Sequence, residues 1–478
     1  MVFTSLNFLI FFPFLIILYW IIPNKNRWIL LLISSYFFYI NLKPVFALLL
    51  AGVTLSTYFF TSLINQNDSD SRKKMYMRIN IMLILLPLFF FKYFSTINNE
   101  IFNLLEWLHI RWPLPEIKLI LPIGISFYTF MAIGYTIDVY NEDVEFEKNI
   151  GILALFVSFF PLILSGPIER AKNMIPQFKS NKKIDYNMVS EGFKLMLWGY
   201  FMKLVVADRM DIYVDAVFKN ISHHNGTSLF YASLLYPFQM YADLGGYSLI
   251  AIGTSKILGI NVMHNFNRPF SATSMSEFWR RWHISLITWL TDYVYTPLSF
   301  NLRKYKIGGI IISLMFTFLI SGVWHGATLN FIFWGLIQGM FLSFEALTIK
   351  KKELLETRYN LKKKFLYTIG GISFTFILFA FSQVFSKVSN LSDAFVVYYK
   401  IFTTSGSLFI GQPSTFIFSI LGLLMLLLKD FTDEFTPEKF LLFNNKSKMV
   451  RILSFSIIII IILLIGVFDG GQFIYFQF

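Results

Sequence analysis

Apolar runs close to the length of a membrane span recur along almost the whole chain, and this pattern restricts the possible folds more than any other feature. A helix needs about 20 predominantly apolar residues to cross the hydrocarbon core. The runs fall at 6–22, 28–40, 45–64, 79–94, 119–140, 150–168, 193–206, 229–258, 307–323, 331–346, 365–385, 416–428 and 452–468. In lipid the backbone must satisfy its own polar groups, which leaves helices or a closed barrel. Runs of helical length therefore predict an all-α, polytopic transmembrane bundle. Several runs are short or broken by Gly and Pro, so re-entrant and interfacial helices are expected among the spans. Only 14% of the 478 residues are charged, against about 25% in soluble domains. Residues 1–478 read as a single membrane-embedded domain.

The formal net charge of +13 does not point to nucleic acid. Lys and Arg cluster between apolar runs, around Lys25 and Arg27, around Arg72, Lys73, Lys74 and Arg78, and along 350–364. The positive-inside rule assigns such clusters to the cytoplasm. With the N-terminus outside, three spans satisfy the first two clusters. Counting every later run as a full crossing puts the basic loop 170–183 outside, so one segment between 119 and 168 is predicted to be re-entrant. The interruptions LPIGIS and SGPIER mark both candidates. The first run lacks a basic leader and a small-residue cleavage site, and is read as a retained span rather than a cleaved signal.

The chain has no cysteine, which removes disulfides, thiolate nucleophiles and Cys-ligated metals. No H-E-x-x-H, phosphate-cradling Gly loop or nucleotide fingerprint is present, arguing against a metalloprotease, an ATPase and a Rossmann enzyme. No metal site is expected. An inverted repeat of the transporter kind is not visible.

Chemistry-bearing residues concentrate at 276–328: SEFWRRWHISLITWLTDYVYTPLS, a basic connector, an apolar run and SGVWHGAT. Two of the six histidines, His283 and His325, flank that run, and ionisable groups at membrane depth are costly and functional by default. Read as one helix, 276–295 places Glu277, Arg281, Ser285, Thr288 and Asp292 on one stripe and Phe278, Trp282, Leu286, Trp289 and Tyr293 on another. Such a helix suits the membrane interface or the wall of a wet cavity. Arg280 and Arg281 suit an anionic group, with His283 one turn beyond Arg280 bonding a reacting or orienting group. A basic interfacial helix touching lipid phosphates is the plainer alternative.

His325 lies within Gly322-Val323-Trp324-His325-Gly326, where small residues four apart allow helices to approach closely. A neutral imidazole is a suitable general base for a hydroxyl attacking an acyl carbon; a plain hydrogen bond across a helix interface is the alternative. Asp243, in YADLGGYS, is expensive inside an apolar run unless paired or wet. It either orients a histidine or arginine or forms a structural ion pair. Arg170 in SGPIER and Arg268 in FNRPF adjoin Pro-containing breaks, and meet an anion in the cavity or mark the cytoplasmic surface. His109, His223, His224 and His264 fall in polar or broken segments, the middle two before the turn signal Asn225-Gly226.

These motifs resemble the membrane-bound O-acyltransferase family, and within it the branch of alginate O-acetyltransferase membrane subunits. The likeness runs through MVFTSLNFLIFFPF, LPIGISFYTF, FFPLILSGPIER, FQMYADLGGYSLIAIG, NFNRPFSATSMSEFWRRWHISLITWLTDYVYTPLS, SGVWHGATLNFIFWGL and the terminal FIYFQF, in that order. It implies a helical bundle around a central tunnel, with His325 of the WHG motif essential and His283 of RRWHISL the second catalytic position. Asp243, Arg280, Arg281, Glu277, Trp324, Arg170 and Arg268 are then candidate binding or orienting residues. One departure is visible, Leu249 standing after GYS where the resemblance leads one to expect an acid.

The resemblance further implies an enzyme of the bacterial inner membrane that O-acetylates an exported polysaccharide such as alginate. It would take an acyl thioester donor, acetyl-CoA or an acyl carrier, bind no cofactor, and work with a periplasmic hydrolase-like partner. Transfer of D-alanine to teichoic acid is the alternative within the class, and a polysaccharide or acyl transporter the alternative outside it. The charge count starts the His283 helix on the cytoplasmic side and puts the WHG turn toward the outer half, separating the two histidines in depth.

Overall fold

The computed structural model describes residues 1–41, 43–109, 120–326, 328–361, 364–437 and 442–468; Leu119, Ala327, Lys362, Lys363 and the closing FIYFQF lie outside them. Among the described residues the regular structure is helical, with no strand. The chain divides into two compact units, Met1–Met196 with Ile250–Met263, and Leu197–Leu249 with His264–Phe478.

The first unit begins with α1 (Leu6–Ile21), which Ser5 caps by accepting from the Phe8 N–H, and α2 (Asn24–Ile40). Pro44 opens α3 (Pro44–Gln66), and α4 (Asp70–Trp107) follows. Asn80 on α4 links its neighbours, accepting from Ser56 Oγ at 2.8 Å and donating to Thr136 Oγ1 of α5 (Ile125–Tyr140) at 2.8 Å. The LPIGIS interruption is a real break: Gly124 takes φ +81°, and a Cβ there would lie 2.1 Å from the Ile163 carbonyl oxygen. Only glycine accepts both that backbone and that contact.

The second interruption shortens its helices, leaving α6 (Ile150–Ser158) and α7 (Phe160–Ile163), with Pro161 in the first turn of the latter. Neither is long enough to span lipid, as a segment broken at SGPIER requires. The amphipathic α8 (Ala171–Lys179) and α9 (Tyr186–Tyr200) complete this part of the chain.

In the second unit a π-helical turn, Phe201–Ala207, leads into α10 (Asp208–Phe218) and then the long α11 (Gly226–Ile257), whose residues from Ile250 onward belong to the first unit. The short helices α12 (Met275–Arg281), α13 (Ile284–Leu290) and α14 (Thr296–Asn301) precede α15 (Ile307–His325) and α16 (Leu329–Arg358). The last four are α17 (Phe365–Lys387), α18 (Leu391–Thr403), α19 (Pro413–Phe435) and α20 (Lys448–Ile465). The hairpin of α15 and α16 is closed by glycine on both sides. A Cβ on Gly322 would stand 2.3 Å from the Phe331 carbonyl oxygen, and one on Gly335 2.3 Å from that of Phe318. This is the close approach foreseen from the small residues around His325, with Gly335 as the partner on the facing helix.

Among the described residues seven helices are long and apolar enough to cross a membrane: α3, the 70–99 part of α4, α15, α16, α17, α19 and α20. The remaining apolar runs are also helical, but they are too short, too interrupted or, in the case of α11, too rich in polar residues to qualify. Side chains such as Leu366, Phe374 and Leu464 are 65–81% exposed, as suits a surface solvated by lipid tails.

One expectation is overturned. The segment 276–295 is not a single amphipathic helix. It breaks at Trp282 and His283, with His283 at φ +45°, and ends in a second π-helical turn, Thr291–Tyr295. The two predicted stripes therefore do not run along one continuous helix, although Phe278, Trp282, Leu286 and Trp289 of the apolar one are all buried.

Candidate active site

The break at His283 is held from a distance in sequence. The Ile284 N–H donates to the Asn265 carbonyl at 2.8 Å, and the Asn267 N–H donates to the Arg281 carbonyl at 2.9 Å. The Asn265 side chain, 1% exposed, accepts from Ser285 Oγ at 2.9 Å and donates to Ser248 Oγ of α11 at 3.0 Å. A left-handed backbone at a non-glycine residue costs roughly 1–2 kcal/mol, and these bonds offset it. The strap 264–268 thereby turns the His283 imidazole inward, where it is 1% exposed. Its ordinary pKa of 6.5 is lowered to about 3 by that burial, so the ring is neutral.

His283 packs edge-on against the Trp324 indole, with ring centroids 6.2 Å apart and planes at 75°. His325 meets the same indole at 4.7 Å. Phe331 stacks near His325 at 6.4 Å, and Trp334 of α16 stands edge-on to it at 5.1 Å. His325, the last residue of α15, remains partly accessible, while Trp324 and Trp334 are buried. Both imidazoles thus adjoin one indole, a much closer arrangement than the separation in depth inferred from loop charge. The physical reason is the broken helix, which carries His283 into the interior instead of along the interface.

The candidate binding residues form two further groups. Arg281 donates to Glu277 at 2.8 Å and to Glu434, at the end of α19, at 2.9 Å. Arg268, also left-handed at φ 45°, pairs with Glu434 at 2.9 Å and donates to the Asp433 carbonyl at 2.6 Å. Glu277 accepts from both the backbone and the hydroxyl of Thr273. Arg268, Arg281 and Glu277 are therefore tied into one ion-pair cluster through Glu434. Arg280 is exposed.

Asp243 makes the structural ion pair. The Lys203 ammonium, in the π-helical turn, lies 2.6 Å from Asp243 and 2.6 Å from Asp208, and all three are at most 7% exposed. Leu249 packs against the hydrophobic core of its unit. Arg170 belongs to the first unit, where it precedes α8 and its N–H donates to Glu169 at 3.1 Å. Among the described residues no group of three or more His, Asp or Glu side chains is placed to hold a metal.

Sequence reasoning missed Lys203, Asp208, Asn265, Glu434 and Trp334. Lys203 carried the same signal as Asp243, a charge inside an apolar run. Nothing local marks Asn265 or Glu434, whose partners are 20 and 153 residues away.

An all-helical integral membrane protein with histidines gathered at one indole is the class of molecule these features define. Residues 149–389 match the model of the membrane-bound O-acyltransferase family, MBOAT, and the chain belongs to that family. It is 34% identical over 410 residues to the probable alginate O-acetylase AlgI of Pseudomonas aeruginosa PAO1, covering 84% of this chain and 75% of that one. It is 33% identical over 396 residues to the peptidoglycan O-acetyltransferase of Helicobacter pylori, with 77% and 72% covered. The teichoic acid D-alanyltransferase of Bacillus subtilis is 29% identical over 281 residues, 56% of this chain and 70% of that one. The protein is an integral membrane acyltransferase.

Proposed function

We propose that the protein moves acetyl groups from an acyl thioester toward the hydroxyls of an exported polysaccharide in the bacterial inner membrane, with His325 as general base. The observation that carries this reading is the setting of His325, a partly accessible imidazole at a helix end, walled by Trp324, Phe331 and Trp334 and sharing one indole with a buried histidine. In the proposed step the imidazole takes the proton of the attacking hydroxyl as its oxygen bonds to the acyl carbon. The carbon–sulfur bond breaks, and the imidazolium returns the proton to the departing thiolate. The aromatic walls exclude water, the competing nucleophile. His283 acts through Trp324, fixing the indole against which His325 rests.

Acetyl is favoured over D-alanyl because relatives named for O-acetyl transfer match 84% and 77% of this chain, whereas a D-alanyltransferase matches 56%. The donor is acetyl-CoA or an acylated carrier arriving from the cytoplasm, and a periplasmic hydrolase-like partner completes delivery to the sugar. The step runs on side chains alone. Replacement of His325 by Ala in folded, membrane-inserted protein is expected to reduce transfer of labelled acetyl by roughly a hundredfold or more. Unchanged transfer would remove His325 from the mechanism, and an alanyl ester product would remove acetyl from the assignment.

A further inference from the structure

The basic run 350–364 covers the last turns of α16 and leads to α17, so the start of α16 and the end of α17 lie at the helix ends remote from it. His325 closes α15 at that same remote end, three positions before α16's N-cap Thr328. Asn330 of α16 ties the two ends together, its amide donating to the Val388 carbonyl at 2.8 Å. With the basic run in the cytoplasm, this end faces outward.

A cavity of about 540 Å³ opens here between the ends of α10, α17 and α18, within the range of roughly 300–1,000 Å³ typical of small-ligand sites. Its walls alternate in charge. Asp215 holds the Lys219 ammonium at 2.6 Å and pairs with Lys387, and Asp393, Ser222 and Ser389 are the other polar lining residues. Lys387 is anchored over the Tyr236 ring at 5.1 Å. Val388 and Val396 supply apolar wall beside these groups.

Carboxylates only accept and ammonium groups only donate, whereas a hydroxyl does both. Asp215 has about four lone-pair sites, so two ammonium partners leave room for ligand donors. Vicinal hydroxyls satisfy both kinds of wall group at once, and the C–H face of a sugar ring suits the valines. A single anion or cation would leave half of these walls opposed to it.

We propose that this cavity is a saccharide subsite on the outer side of the protein, holding a sugar unit of the exported chain at the His325 end of the helices, where the partner completes delivery. The proposal rests on the acyl-transfer reading for its biological use. The binding itself is separable from it.

The test uses the full chain in lipid nanodiscs, with a uronic-acid tetrasaccharide and a neutral glucan tetrasaccharide as probes in calorimetric titrations. At least one is expected to bind, with affinity weakened about tenfold by Asp393→Asn and measurably by Lys219→Gln. Both substituted positions lie at the cavity rim, and size-exclusion elution of each variant reports folding. Failure of both probes to bind, or binding indifferent to both substitutions, overturns the subsite. If acetyl transfer survives His325→Ala while the binding results hold, the mechanism falls and the subsite stands.

Discussion

The Trp324 indole meets the His283 imidazole edge-on at 6.2 Å and 75°, although the two residues belong to separate helical segments. Because His325 follows Trp324 on α15 and packs on the same ring at 4.7 Å, a change at this indole reaches both histidines. Trp324→Ala is expected to lower acyl transfer roughly a hundredfold, the scale on which a small misplacement of a reacting group acts. It should also cost about 3–5 kcal/mol of stability. Trp324→Phe, which retains an aromatic wall, should stay within about tenfold of the parent. Transfer rates and thermal unfolding of the purified variants check both.

His283 predicts a dependence of stability on pH. The unfolded imidazole takes up a proton near its ordinary 6.5, whereas the folded one, lowered by burial, resists until about 3. The unfolded state therefore binds more protons between these values, and stability falls as the pH drops through that window. The contribution of His283 is fully present above about 6.5. Thermal unfolding from pH 7 to pH 4 should show a steeper acid loss for the parent than for His283→Gln. Equal slopes would contradict the neutral, buried state.

The Lys203 triad sets a different expectation. Lys203→Met leaves Asp208 and Asp243 buried beside each other without the cation between them, and should cost about 3–5 kcal/mol. The triple replacement Lys203→Met, Asp208→Asn and Asp243→Asn removes the charge problem and should recover most of the folded yield. Fluorescence-detected size exclusion of the four proteins, parent, lysine variant, double aspartate variant and triple variant, reads this directly.

Gly335→Ala should separate α15 from α16, since its new Cβ would stand 2.3 Å from the Phe318 carbonyl oxygen. Overpacking of this kind costs about 1–3 kcal/mol. Because Trp334 beside it packs on His325, acyl transfer should fall more than stability alone explains, by roughly tenfold or more. Gly370→Ala, at a glycine with nothing near the added atom, is the control and should change neither quantity.

Much of this was legible in the residues. Helix-length apolar runs announce the bundle, LPIGIS and SGPIER announce breaks, and the glycines around Trp324 and His325 announce close packing. The bend at His283 was not legible, because 276–295 keeps helical spacing straight through it. What breaks that helix is Asn265, bonded to the segment from 20 positions upstream. The fate of the arginines was hidden for the same reason: Arg268 and Arg281 are matched by Glu434, whose proximity exists only in the folded chain. Periodicity reports which face of an element is apolar, but not which remote partner cancels a charge.

The sealed lysine between two aspartates also constrains how the protein is made. Lys203 and Asp208 come from the turn before α10 and its first residue, and Asp243 from the middle of α11. Each charge alone would oppose entry into lipid by about 2.5–3.5 kcal/mol, whereas together they form one ion-paired knot in which the lysine offsets one of the two carboxylates. The two helices are therefore best handed to the bilayer by the insertion machinery as a pair, with the first held in a wet or protein-lined waiting position until the second has been synthesised.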